Sequence, residues 1–305
     1  MSALVTLILS YASKDILIQV SDRLVTRASA PYDALANKCV IYSAADGILA
    51  VAYTGLAYIG QQPTDDWIAD FLGRQVPGRT KLGRSLLLLK DALEHAFSNA
   101  SSESKRKWRG GLFETSIVGW QWDPRGRARP IVAWMSKAPG SEAFEFGYLP
   151  RWWFLEGTYR LFACPGAHYP LGQLRTLANK LTLTSVDEAE AIIANAIGEV
   201  SIRVPQVGPN CMSITLYPPN TARVNVRYLP TSHASADVSF ASSVRRVAVA
   251  FSPWILMPGL TMPPSVLSGS GWEVHSAGPY TVYLDAPDDP SLAGLLSSQP
   301  RHPPP

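Results

Sequence analysis

The sequence holds little of what metal centres, disulfide frameworks and histidine-based active sites are made from. Its 305 residues include only 3 cysteines, Cys39, Cys164 and Cys211, which are scattered, odd in number and without metal-ligand spacing. That pattern argues against a disulfide scaffold and points to free thiols in a reducing, cytoplasmic setting. The 5 histidines, at positions 95, 168, 233, 275 and 302, are equally dispersed. No Gly-x-Ser-x-Gly elbow accompanies them, so a Ser-His-Asp triad has no local support. Gly-rich phosphate loops of the known spacings are missing as well. No cofactor and no metal is expected.

Charge of one sign is also scarce. A formal net charge of +3 is too mild to imply nucleic acid, and the basic cluster Lys105-Arg106-Lys107-Trp108-Arg109 is short enough to read as a solvated loop. The apolar pieces at 247–251 and 254–257 are interrupted by Ser252 and Pro253 and followed by Pro258 and Gly259. They fall well short of the roughly 20 residues a membrane span needs. No charged n-region opens the chain as in a secretory signal. Neither a nucleic-acid nor a membrane partner is expected.

What the chain does hold is apolar residues, 47% of the total, enough to bury a sizeable core. Their periodicity predicts an order of elements. Strands at 4–11 and 16–21 form one hairpin around Ala12-Ser13-Lys14-Asp15, and strands at 39–43 and 48–54 another across Ala44-Ala45-Asp46-Gly47. Two helices follow, with apolar stripes Trp67, Ile68, Phe71, Leu72 and Leu82, Leu86, Leu89, Leu93, Phe97. Strands resume at 112–122 and 130–135 across the turn Asp123-Pro124-Arg125-Gly126, then at 152–155 and 159–164. Two further helices are marked by Leu171, Leu174, Leu177, Leu181 and by Ala189, Ile193, Ile197, Val200. The second opens on the capping box Ser185-Val186-Asp187-Glu188. A hairpin of strands at 212–216 and 224–228 closes the series.

Beyond Pro230 short strand-like pieces at 246–251, 272–275 and 280–284 alternate with Pro and Gly, and the last residues, 297–305, read as a disordered tail. The aromatic run Trp152-Trp153-Phe154 reads as packing or a subunit contact.

Within this order Thr6, Asp22 and Lys38 stand at equal intervals. A Ser-Asp-Arg turn, Ser21-Asp22-Arg23, follows the second strand, and a glycine, Gly55, closes Tyr53-Thr54-Gly55. Together with the strand Ile117-Val118-Gly119-Trp120, this register resembles that of proteasome β-subunits and their N-terminal nucleophile hydrolase superfamily. The resemblance implies an α+β fold of two stacked sheets between helix layers, a four-layer αββα sandwich. Composition alone implies only a mixed α and β domain. The resemblance also divides the chain into a hydrolase domain at 1–229, a small β-rich extension at 230–296 and the tail at 297–305. The extension is expected to pack on the main domain without contributing chemistry.

The roles implied by the resemblance have a chemical logic. A threonine hydroxyl needs a base, and an N-terminal threonine carries one in its own α-amine, whose reference pKa of about 8 lies near working pH. Thr6 is the implied nucleophile. Lys38 would favour the neutral amine and the developing alkoxide, Asp22 would hold Lys38, and the backbone N–H of Gly55 would receive the oxyanion. Thr6 is encoded behind Met1-Ser2-Ala3-Leu4-Val5, so residues 1–5 must be removed before its amine exists. Family members that process themselves usually carry Gly where this chain has Val5. The Ser and Asp that the family places before its third helix and penultimate strand are absent from 162–167 and 204–210.

Outside the resemblance a ligand-binding mixed α and β domain using the aromatic surface stays open, and within it two functions do. One is a threonine peptidase or amidohydrolase acting on a peptide or small amide substrate. The other is a catalytically inactive subunit serving as an assembly or recognition module. Both imply a homo-oligomer or a ring partner.

Overall fold

The structure is a computed structural model. It describes residues 3–4, 7–13, 15–27, 30–33, 36–100, 113–138, 140–141, 143–148, 160–165, 171–181, 185–230, 250–267 and 272–285. The strand read at 152–155, the aromatic run Trp152-Trp153-Phe154, the basic cluster at 105–109 and the tail at 297–305 lie outside the described residues.

The chain is α+β, with strands predominating. It opens with β1 (Ala3–Leu4), β2 (Leu7–Ala12), β3 (Leu17–Asp22), β4 (Val25–Arg27) and β5 (Ala30–Asp33). Next come β6 (Cys39–Ala44), β7 (Gly47–Leu56), β8 (Tyr58–Ile59) and β9 (Gln62–Pro63), then helices α1 (Thr64–Arg74) and α2 (Leu82–Ser98). The middle holds β10 (Phe113–Trp122), β11 (Ala128–Lys137), β12 (Glu145–Tyr148) and β13 (Arg160–Pro165), followed by α3 (Leu171–Leu181) and α4 (Val186–Ser201). The remainder is β14 (Asn210–Leu216), β15 (Arg223–Pro230), β16 (Ala250–Phe251), β17 (Trp254–Met257), β18 (Leu260–Met262), β19 (Val266–Leu267), β20 (Trp272–His275) and β21 (Thr281–Asp285).

Two large sheets organise these strands. The first runs β12-β11-β10-β7-β6-β17-β18, with β1 added to β7, and the second β13-β2-β3-β14-β15-β21-β20. Both are mixed. Antiparallel pairs dominate, but β17 joins β6 in parallel and β21 joins β15 in parallel. The segment after Pro230 thus contributes strands to both sheets.

Three apolar clusters explain why the central strands read as nearly continuous hydrophobic runs. Along β7, Leu49, Val51 and Tyr53 pack with Ile68 and Leu72 of α1 and Leu86, Leu89 and Leu93 of α2. The alternate residues Ile48, Ala50 and Ala52 pack with Ile8 of β2, Ile214 of β14 and Val226 of β15, joining the two sheets. A third cluster sets Leu7, Leu9, Ile18 and Val20 against Leu177 of α3 and Ile193 and Ile197 of α4. A strand covered on both faces needs no polar alternation.

Polar groups fix how these layers meet. Trp120 Nε1 on β10 donates to the Leu216 carbonyl of the other sheet at 3.0 Å, and Gln19 Nε2 on β3 donates to the Ser116 carbonyl on β10 at 3.0 Å. Asp46, in the turn between β6 and β7, accepts the Leu82 amide at 2.7 Å. A carboxylate thereby satisfies an orphan donor at the N-terminus of α2, whose own N-cap, Lys81, makes no side-chain cap. At α4 the capping box read in the sequence is formed, with both Ser185 and Glu188 bonded reciprocally.

Candidate active site

The start of β2, the end of β3 and the residue before β6 converge because a hairpin and a return strand bring them to one end of the two sheets. Strands β2 and β3 pair Ile8 with Ser21, which carries Asp22 to the level of Leu7. The Leu7 amide donates to Asp22 Oδ2 at 2.9 Å. Lys38 Nζ donates to Asp22 Oδ1 at 2.8 Å and to the Leu24 carbonyl at 2.7 Å. Both charged side chains are fully buried. The Leu24 amide at 3.0 Å and the Gly208 amide at 3.2 Å also reach Oδ1. An ion pair removed from water holds only when its remaining valences are satisfied in this way.

Gly55 sits near the end of β7 with φ +108°, a conformation open to glycine and strained for other residues. Across from it in antiparallel register is Leu4 of β1, with Ala3 opposite Leu56. Of the four residues singled out in the sequence, Asp22 and Lys38 are in direct contact and Gly55 pairs with the segment that leads to Thr6. Thr6 itself, with Val5, lies outside the described residues.

Several contributors could not be named from residue types. Leu24 acts through its backbone, donating to Asp22 and accepting from Lys38, and any side chain offers the same groups. Gly208 carried a weak signal, as a glycine in the stretch before β14. Asn37, beside Lys38, donates Nδ2 to the Ser252 carbonyl at 2.8 Å, so the C-terminal segment reaches the residue next to the buried lysine.

A small, partly open cavity of about 10 Å³ adjoins this corner, lined by Val25, Ala36, Asn37, Tyr53, Ala57, Tyr58, Pro63 and Asp65. The thiols of Cys39 and Cys211 offer no rival nucleophile. Burial drives the Cys39 and Cys211 pKa values upward, and the Asp22 carboxylate adds to the effect at Cys211. Among the described residues no three His, Cys, Asp or Glu side chains gather as a metal site requires. Nor is any described helix long and apolar enough to cross a membrane.

Comparison with known proteins corrects the family reading. No family model matches the chain, and no curated protein matches it. Among solved structures it is similar to a Gly-1 mutant of Anbu from Hyphomicrobium sp. strain MC1, at 12% identity and TM-score 0.45, over 70% of this chain and 82% of that one. It is also similar to Anbu, an ancestral beta-subunit, from Yersinia bercovieri, at 12% identity and TM-score 0.43, over 70% of this chain and 81% of that one. Likeness at this level carries no inference about activity. Membership of the proteasome β-subunit or N-terminal nucleophile hydrolase superfamily, read from the spacing of Thr6, Asp22 and Lys38, is therefore withdrawn. The physical reason lies in the strands. Two short strands and a return connection bring positions of similar spacing to one end of any such hairpin, so equal intervals between common residues do not specify a lineage.

Proposed function

We propose that the chain is an amide hydrolase that uses Thr6 as its nucleophile once the Val5–Thr6 bond has been cut. The observation that carries the proposal is the buried Lys38–Asp22 pair, whose carboxylate also holds the amide of Leu7, the residue after Thr6. The pairing of Leu4 with Gly55 bears on the other side of the same short segment. In this reading the two sheets stack between helix layers as an αββα sandwich, with the three apolar clusters as its interlayer packing.

The chemistry follows from the groups at hand. The freed α-amine of Thr6 takes the hydroxyl proton, and Oγ1 attacks the carbonyl carbon of a peptide or small amide. The Gly55 N–H receives the oxyanion. The C–N bond then breaks as the α-ammonium returns its proton to the leaving amine, and an ester to Thr6 remains. Water, deprotonated by the same amine, attacks the ester, releases the acid and restores the hydroxyl. Lys38 supplies a positive charge that keeps the α-amine neutral and lowers the energy of the alkoxide. The C-terminal segment, through Ser252 and Asn37, keeps the backbone before Lys38 in place.

A second reading is a silent module in which Asp22 is a structural clip. It is favoured by the number of donors on one carboxylate: Lys38 Nζ and the amides of Leu7, Leu24 and Gly208. The two are separated by producing the chain with Thr6 as its first residue and assaying a set of fluorogenic peptide amides. The hydrolase reading expects turnover that is lost in Thr6→Ala and in a chain retaining residues 1–5. Equal rates for Thr6 and Thr6→Ala proteins, or no turnover at all, would leave the module.

A further inference from the structure

Strand β20 forms one end of the second sheet, and among the described residues nothing pairs with its outer edge. The hydrogen-bond pattern shows which groups that edge presents. The Thr281 amide donates to the Ala222 carbonyl at 2.9 Å, so Thr281 and Tyr283 turn their backbone groups toward β15. Val282 and Leu284 then face β20, where they stand opposite Val274 and Trp272. Backbone groups alternate sides along a strand, which leaves the N–H and C=O of Glu273 and His275 pointing away from the sheet.

The side chains alternate between the two faces as well. Val274 packs at the margin of the apolar cluster between the sheets, and Trp272, on the same face, is 50% exposed. Glu273 and His275 stand exposed on the other face, with Glu273 Oε2 3.4 Å from His275 Nε2 and His275 Nδ1 3.3 Å from Thr281 Oγ1. A strand that is bare along one edge and half apolar is a template for another strand.

The two polar residues select the strand that fits. A second copy of β20, running antiparallel, can exchange hydrogen bonds with the first only where outward backbone groups meet. The two-fold axis then passes through Glu273, Val274 or His275. An axis at Glu273 sets carboxylate opposite carboxylate with the Cα atoms about 5.5 Å apart, which is destabilising. An axis at His275 sets Glu273 opposite Ala277 of the partner subunit, and the Ala277 amide already donates to the Pro258 carbonyl at 2.8 Å. The axis at Val274 has neither fault. It sets Glu273 opposite His275 of the partner subunit, twice over, so that a carboxylate acceptor meets an imidazole N–H donor on each side. The exposed Trp272 ring then lies diagonal to Val274 of the partner subunit, within reach for a side chain of its size.

We propose that β20 is the seam of an isologous dimer, in which the second sheet continues antiparallel, in this register, into that of a second copy of the chain. The two-fold axis makes each contact occur twice. A seam this short buries less than a standard interface, so exchange between one and two copies is expected at micromolar concentration. The dimer does not depend on the hydrolase reading.

The test is sedimentation velocity on the full chain at pH 7, from about 1 to 100 μM. The unsubstituted protein should pass from one copy to two across that range. Glu273→Lys removes the acceptor from both ends of the seam, and His275→Glu sets carboxylate against carboxylate. Each should weaken association by about tenfold or more, because the axis repeats the fault. An equimolar mixture of the two variants should associate again: the introduced lysine meets the introduced glutamate at one end, and the original pair is kept at the other. Damage confined to one chain's own fold would not recover on mixing. A single copy at every concentration would overturn the proposal and leave Glu273 and His275 as charges that guard a bare edge. Association that the single variants leave intact, or that the mixture fails to restore, would overturn it by placing the contact elsewhere.

Discussion

The backbone amide of Leu7 donates to Asp22 Oδ2 at 2.9 Å, tying the first residues of β2 to the carboxylate whose other oxygen holds Lys38. One side chain thus anchors the lysine and registers the chain immediately after Thr6. Removing either function of Asp22 should disturb the other.

Lys38→Met tests the charge. The pair is fully buried, so the substitution leaves an uncompensated carboxylate facing three backbone donors. Breaking a buried pair in this way costs about 3–5 kcal/mol. Urea denaturation should show a loss of that size, and a chain beginning at Thr6 should lose amide turnover under conditions where the variant is still folded. An unchanged midpoint would mean that Asp22 is satisfied without Lys38.

Gly208→Ala tests the backbone donors. A Cβ at this position would stand 2.6 Å from Leu24 Cβ and 3.2 Å from the Leu24 nitrogen. Leu24 both donates to Asp22 and accepts from Lys38, so moving it disturbs each side of the ion pair. The expected loss is about 1–3 kcal/mol, the usual cost of overpacking, together with a fall in kcat for the Thr6-initiated chain. Wild-type stability with wild-type turnover would show that this close approach is not needed.

The sequence made the scaffold legible because its signals are local. The stripe Leu82, Leu86, Leu89, Leu93 and Phe97 appears as a helix with those side chains buried. The turn at Asp46-Gly47 joins β6 to β7 in the expected hairpin. The capping box at Ser185 and Glu188 is formed. Partners distant in sequence were not legible. Nothing in Trp254-Ile255-Leu256-Met257 says that it pairs in parallel with β6, because a fully buried strand has the same composition wherever it inserts. At the site, Asp22 and Lys38 stood out through their equal intervals with Thr6. The Leu24 carbonyl and the Gly208 amide did not, since the backbone offers these groups at almost every position.

Glu94 gives a pH-dependent handle on the packing of α2 against the residues that lead into β12. Its Oε1 accepts from Lys90 Nζ at 2.7 Å and from the Phe144 amide at 2.9 Å. The Lys90 hydrogen bond, followed by that of Phe144, lowers the carboxyl pKa below its ordinary 4.5. A carboxylate whose folded pKa is lowered adds stability above its unfolded value and loses it as pH falls through the folded one. Wild-type and Glu94→Gln proteins should therefore differ in thermal midpoint at pH 7 and converge as pH falls below the ordinary 4.5 and through the lowered folded value. The partial exposure of both side chains keeps the difference small. A gap that widened on acidification would contradict this assignment.

Ending the chain at Pro230 tests the C-terminal strands as parts of the scaffold. Strand β17 covers the edge of β6, which begins one residue after Lys38, and β21 covers the edge of β15. Ile255 and Met257, with Val282 and Leu284, also belong to the cluster shared by the two sheets. Their removal would uncover two strand edges and part of that core, which invites edge-to-edge aggregation. It would also take away the Ser252 carbonyl that holds Asn37. The truncated chain should therefore be recovered mainly as aggregate, and any soluble fraction should bind a hydrophobic dye and unfold at lower urea than the intact protein. A monodisperse product with the intact protein's midpoint would show that residues 1–230 close their own core. In that event the contacts to Asp22, Leu24 and Tyr53 would suffice to hold Asn37 and Lys38, and the C-terminal strands would have no part in positioning the buried pair.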